Sequence, residues 1–204
     1  MKKFILTVLF FVASISLSNA QEQVGYKDTT WGFHIDVPSG WVTTTTEQLI
    51  NALGKDDKIT LEMLASVKSS GLVVNISAFP LGKAADINPN VTVAAKKVTV
   101  DPKPVEENAW VQFAGDILAK IVPDPTTLTA PEKEHINGLV GLSSSFSMDM
   151  AEKGYVTSKI YVLIDQQAWN YYILTATFNK DKAVENQVLW VINSFTLLTG
   201  AGKY

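Results

Sequence analysis

Two runs joined by a short turn, residues 155–164 and 169–178, constrain the fold more than anything else in the chain. Both alternate with a period of two, the signature of a strand, and yet both are apolar on each side. In the first, Val156, Ile160, Val162 and Ile164 share one side, while Tyr155, Thr157, Lys159, Tyr161 and Leu163 take the other. In the second, Trp169, Tyr171, Ile173, Thr175 and Thr177 oppose Tyr172, Leu174, Ala176 and Phe178. A sheet with one wet face would alternate apolar and polar residues, so these strands need cover front and back. The period then changes. Val184, Val188, Val191, Ile192 and Phe195 recur at helical spacing behind Asp181, a residue suited to cap a helix N-terminus. This helix is one cover, and the sheet must hold it, because ordering each of its residues costs about 1–2 kcal/mol of backbone entropy.

Upstream, Asn137-Gly138 is a strong hairpin signal, since both residues tolerate the positive φ of a tight turn. It predicts paired strands over 127–136 and 139–150, the second with Val140, Leu142, Ser144, Phe146, Met148 and Met150 on one side. With a turn at Ala151-Glu152-Lys153-Gly154, four successive antiparallel strands form a meander over 127–178. A second helical stripe, Trp110, Phe113, Ala114, Ile117 and Ile121, lies between the proline pairs Pro102/Pro104 and Pro123/Pro125 and supplies the other cover. Nearer the start, Phe33, Ile35 and Val37 form a strand face ended by Pro38-Ser39-Gly40. Short helices are expected from Thr46 to Gly54 and from about Asp57 to Gly71, then a strand over 72–79; over 91–100 Thr and Val favour a strand and Ala94-Ala95-Lys96-Lys97 a helix, with strand the preferred reading. The fold class that follows is α+β: an α/β/α sandwich with a central antiparallel sheet covered by helices on both faces.

Residues 1–20 read as a signal peptide: Lys2 and Lys3, an apolar run too short to span a bilayer, then small residues Ser18 and Ala20 around Asn19. Cleavage after Ala20 leaves residues 21–204 as a single domain, with no transmembrane anchor, in the periplasm or outside the cell. Without cysteine, the 204-residue chain has no disulfides and no lipidated N-terminal Cys. Loss of Lys2 and Lys3 takes 17 basic side chains to 15 against 20 acidic ones, a formal charge of −5, and none of the basic residues is arginine. A nucleic-acid binder needs a basic face, so no nucleic-acid partner is expected.

The chemistry-bearing residues are few. The two histidines, His34 and His135, bound any imidazole chemistry. His34 and Asp36 stand two apart on one strand face, with Asp28 a further carboxylate for a metal or hydrolytic site; no third and fourth ligand is placed. His135 adjoins Glu132-Lys133-Glu134, which reads as a solvated hairpin edge. Ser143, Ser144 and Ser145 lack a nucleophile-elbow pattern. Asp56-Asp57 and Glu106-Glu107 fall at helix starts, where negative charge is favoured. No catalytic, cofactor-binding or metal residue is therefore assigned, and no cofactor is expected. Four tryptophans, Trp31, Trp41, Trp110 and Trp169, sit on or beside apolar faces, whereas Trp190 falls off its helix's stripe and is expected to be exposed.

Phe33-His34-Ile35-Asp36-Val37-Pro38-Ser39-Gly40-Trp41 resembles the opening strand, with its Pro and Trp, of the PsbP-like family. That family comprises the extrinsic photosystem II protein and its non-photosynthetic bacterial relatives. The closing order of strand, strand and a helix running into Ile192-Asn193-Ser194-Phe195 resembles it too. The resemblance implies an α/β/α sandwich and an accessory or binding role exerted through surfaces, and it transfers no partner-binding residue. The expected function is that of an exported, non-enzymatic domain acting on an unidentified protein or envelope component. The alternatives are a hydrolase or metal-dependent enzyme built on His34 with Asp36 or Asp28, and a carrier holding a small apolar ligand between sheet and helix.

Overall fold

The computed structural model describes residues 25–54, 60–79, 88–101, 103, 106–122, 128–149 and 155–198. Residues 1–20, read from the sequence as a signal peptide, together with Asp56-Asp57, the four prolines that flank the second stripe, and the expected turn at 151–154, lie outside the described residues. Strands β3 (Val42–Thr45), β4 (Leu72–Ser77), β5 (Asn90–Lys97), β6 (Glu132–Ile136), β7 (Leu139–Asp149), β8 (Tyr155–Asp165) and β9 (Asn170–Phe178) form one antiparallel sheet. Its order is β3-β4-β5-β9-β8-β7-β6. The meander is its second half. The expected strand over 91–100, whose pattern mixes helix and strand formers, is β5 over Asn90–Lys97 and ends before Val98; an eight-residue pairing with β9 draws it into the sheet.

Turn chemistry behaves as the residues dictate. Asn137 and Gly138 take φ of 47° and 84° between β6 and β7. The Asn137 side chain also donates to the carbonyls of Asn193 and Phe195, at 2.7 and 2.9 Å, tying the hairpin to the chain's closing helix.

Four helices occur among the described residues: α1 (Thr46–Leu53), α2 (Leu61–Ser70), α3 (Glu107–Ile121) and α4 (Lys182–Asn193). The first starts with a capping box, in which the Thr45 hydroxyl accepts from Gln48 N and Gln48 Oε1 accepts from Thr45 N. As described, α2 begins behind Thr60, which accepts from Met63 N, rather than at Asp57. It ends at Gly71, left-handed at φ 78°. Asp181 caps α4 through Ala183 N, as its position suggests. The closing helix is anchored by Val188, Val191, Ile192 and Phe195, all fully buried. None of these helices is long and apolar enough to cross a membrane.

The fold class is α+β, with helices on both faces of the large sheet, but the layers are not symmetric. On one face, Val93, Leu163, Tyr172 and Leu174 pack against α4 and against a separate three-stranded sheet, β1 (Gly25–Asp28), β2 (Phe33–Asp36) and β10 (Thr196–Leu197), in the order β1-β2-β10. Thus the strand around Phe33 joins a second sheet, where Phe33 and Ile35 serve the same core from the other side. Phe33, Tyr172 and Phe195 form a triangle of rings 5.2 to 6.0 Å apart.

On the other face lies α3. Its buried line is Trp110, Ala114 and Leu118, with Phe113, Ile117 and Ile121 half-buried. That line is rotated from the expected stripe: Leu118 is buried, whereas Phe113 is half-buried with its ring edge-on to Tyr171 at 5.5 Å. Helices α1 and α2 close the β3-β4 end around Leu49, Leu53, Val67 and Leu72.

Candidate functional site

The histidines are far apart in the architecture and neither gathers a catalytic set. His34 lies on β2 of the small sheet, its Nε2 3.7 Å from Asp36 Oδ1, with both side chains more than a third exposed. Asp28 does not join them. The β1–β2 register aligns Asp28 with Phe33, so its side chain shares Phe33's face rather than that of His34. Its Oδ1 accepts from Trp31 N at 2.7 Å and its Oδ2 from the Tyr26 hydroxyl at 3.3 Å. Burial, the Asp28 charge and this hydrogen bond together push the Tyr26 phenol up to about 12. The carboxylate is spent on holding a turn. Among the described residues no three His, Cys, Asp or Glu side chains converge as metal ligands would.

His135 is exposed on β6. Its neighbour Glu134 is not the solvated edge charge that the hairpin's composition suggests, because alternation turns it inward, where it accepts from Lys159 Nζ and from Ser143 Oγ, each at 2.8 Å. Burial alone would raise the Glu134 pKa, but the bonds from Lys159 and Ser143 outweigh it and hold the carboxyl below its ordinary value. Burial would likewise lower Lys159, and the bond to Glu134 wins there too, so the ammonium lies above its ordinary value. Ser144 donates to the Thr129 carbonyl at 2.7 Å. Ser143 thus ties β7 to β6, and Ser144 ties β7 to the segment that precedes β6. Glu106 makes no side-chain cap, and Glu107 pairs with Lys133 across to β6.

Trp190 is 49% exposed on the outer side of α4, as expected from its place off the stripe. Trp41 and Trp110 are buried in the two cores.

One feature was not visible in the residue pattern. Between α2 and α3 the sheet face formed by β5 and β9 is left partly open as a predominantly apolar cavity of about 200 Å³. Its floor is Thr92, Ala94 and Lys96 of β5 with Tyr171, Ile173 and Thr175 of β9. Its walls are Ser66, Ser69 and Ser70 of α2 and Ile117, Lys120 and Ile121 of α3. The apolar stripe that includes Ile117 and Ile121, and the two-sided apolarity of β9, are its traces in the sequence. A second, more open recess of about 530 Å³ lies by the Asn137-Gly138 turn and Gln166-Gln167. Its carboxylate, Asp165, already accepts from Gln167 N and Ala168 N at 2.9 and 3.2 Å.

No protein-family model matches the sequence, and no curated protein does. Solved structures do. Cyanobacterial PsbP (CyanoP) from Synechocystis sp. PCC 6803 superposes with a TM-score of 0.53 at 15% identity, over 91% of this chain and 94% of that one. A protein of Bacteroides thetaiotaomicron VPI-5482 aligns with a TM-score of 0.49 at 12% identity, over 90% of this chain and 52% of that one. At such identities the likeness is one of architecture, and the architecture of this chain, a large antiparallel sheet between helical layers, is a PsbP-like fold.

Proposed function

We propose that the chain is an exported, non-enzymatic accessory protein that binds a protein or cell-envelope component through its surface. The observation that carries this reading is Trp190. The inner side of α4 is consumed by the core, yet its outer side presents a large indole to solvent, and exposed aromatics of this kind anchor interfaces more often than other side chains do. The polar groups that would serve a catalyst are engaged in structure, with Asp28 in a turn and Glu134 with Ser143 in the sheet. The PsbP-like fold supports the same reading, because the resemblance implies proteins that act through surfaces. Export is supported by the leader pattern in residues 1–20.

The test is a cross-linking pull-down from the cell envelope with the wild-type protein and Trp190→Ala. Partners are expected to be captured by the former and lost from the latter at an unchanged melting temperature. Capture that survives the substitution would sink the reading. N-terminal sequencing of the exported protein should begin at Gln21.

A second reading, a carrier of a small apolar ligand, is favoured by one observation, the cavity between α2, α3 and the sheet. Apolar recesses over a sheet face are ordinary small-molecule sites. Native mass spectrometry of freshly purified protein would reveal a retained ligand as a discrete added mass.

A further inference from the structure

Among the described residues, the cavity between α2 and α3 is charged with one sign only: Lys96 and Lys120 belong to its lining and no carboxylate does. Neither ammonium has an ion-pair partner among the described residues. Lys120 stands in the last turn of α3, where the helix's negative end favours a cation.

Lys96 is held in place by backbone. Its stem lies across Gly71, the residue that ends α2: a Cβ at that position would stand 2.7 Å from Lys96 Cε and 2.9 Å from its Cγ. The Ala95 N–H donates to the Gly71 carbonyl at 2.9 Å, which fixes the helix end against β5. Glycine at 71 therefore serves twice, as the left-handed cap of the helix and as the seat for the lysine. Burial alone depresses the Lys96 pKa, with no acid to offset it. A half-buried cation left in this way is stabilised by any anion that enters beside it.

We propose that the cavity binds a medium-chain alkyl carboxylate, its tail lying over Ile117, Ile121, Tyr171 and Ile173 and its headgroup meeting Lys96 and Lys120. This rests on the carrier reading and names its ligand class. At about 200 Å³ the cavity is small, which suits a single short alkyl tail. The headgroup follows from the cations. Lysine meets an anionic oxygen as a compact point charge, so two ammoniums lining an apolar recess suit a single negative headgroup such as a carboxylate.

The experiment is isothermal titration of the delipidated full-length exported protein, at low salt, with sodium octanoate, 1-octanol and octyltrimethylammonium. Octanoate should bind about tenfold more tightly than octanol, the scale of one charge-assisted hydrogen bond, and the cation should not bind. In the Lys96→Met, Lys120→Met variant the preference for octanoate should vanish, while octanol affinity and melting temperature stay as they are. If octanol or the cation matches octanoate on the wild-type protein, the carboxylate assignment falls and the carrier reading stands. If none of the three binds, both fall.

Discussion

The two faces of the large sheet both present apolar side chains and end up differently. The face toward α4 is closed: Val93, Leu163, Tyr172, Leu174, Val188 and Ile192 are each at most 1% exposed. The face toward α3 is closed over β7 and β8, but toward β5 it opens into a recess floored by Thr92, Ile173 and Thr175. The difference is one of reach. Seven strands at about 4.8 Å spacing make a sheet roughly 29 Å across, and a helix with its side chains is about 10–12 Å wide. One helix cannot cover such a sheet. On the first face the strands β1, β2 and β10 extend the cover, with Tyr172 donating to the Trp31 carbonyl at 2.7 Å as a polar contact within an otherwise apolar seam. On the second, α3 stands at one side, α2 at the other, and the gap between them is the cavity. A binding recess arises here from a shortfall of cover, with no specialised loop required.

The comparison is broken most directly by placing the same charge on each face. Val188→Asp puts an unpaired carboxylate into the closed seam and should abolish the cooperative thermal transition, as burying an uncompensated charge costs several kcal/mol. Ile117→Asp, on the cavity wall, should leave a folded protein that melts lower by the equivalent of about 1–2 kcal/mol. Lys182→Ala, in an exposed pair with Glu185, should change nothing measurable. Equal melting losses for Val188→Asp and Ile117→Asp would show that the faces are equally sealed.

A smaller effect sharpens the account of the open face. Gly71→Ala must adopt a φ of 78° and displace the Lys96 stem. The left-handed conformation alone costs about 1–2 kcal/mol, so chemical denaturation should show a lower midpoint. Octanoate affinity should fall with it.

Of the changes expected to be measurable, the smallest belongs to the closed face's polar margin. Glu134 ionises more readily when folded than when unfolded, so its pairing with Lys159 stabilises the protein above the ordinary carboxyl value of 4.5 and is lost as pH falls through the lower folded value. Lys159, raised when folded, contributes below its ordinary 10.5 and loses that contribution as pH rises through the higher folded value. Melting temperature against pH should therefore decline on the acid side. Glu134→Gln should flatten that decline by the equivalent of about 1 kcal/mol. An unchanged acid limb in the variant would remove the pair from the account.

The residues alone determined what depends on near neighbours in the chain. The two-residue period of β8 and β9, the positive φ tolerated by Asn137-Gly138, the cap at Asp181 and the stripe of Val188, Val191 and Ile192 are local matters of sterics and hydrogen bonding, and each is readable from a few adjacent side chains. Tertiary structure alone decided which strand lies beside which and what remains uncovered. The pairing of β5 with β9, the separation of β1, β2 and β10 into a second sheet, the inward turn of Glu134 to Lys159, and the meeting of Lys96 with Lys120 at one cavity all join segments distant in sequence. Such contacts are selected by how whole surfaces fit, and no period or short motif encodes that fit: the same alternation that demanded a cover on both faces is silent on how wide each cover would be.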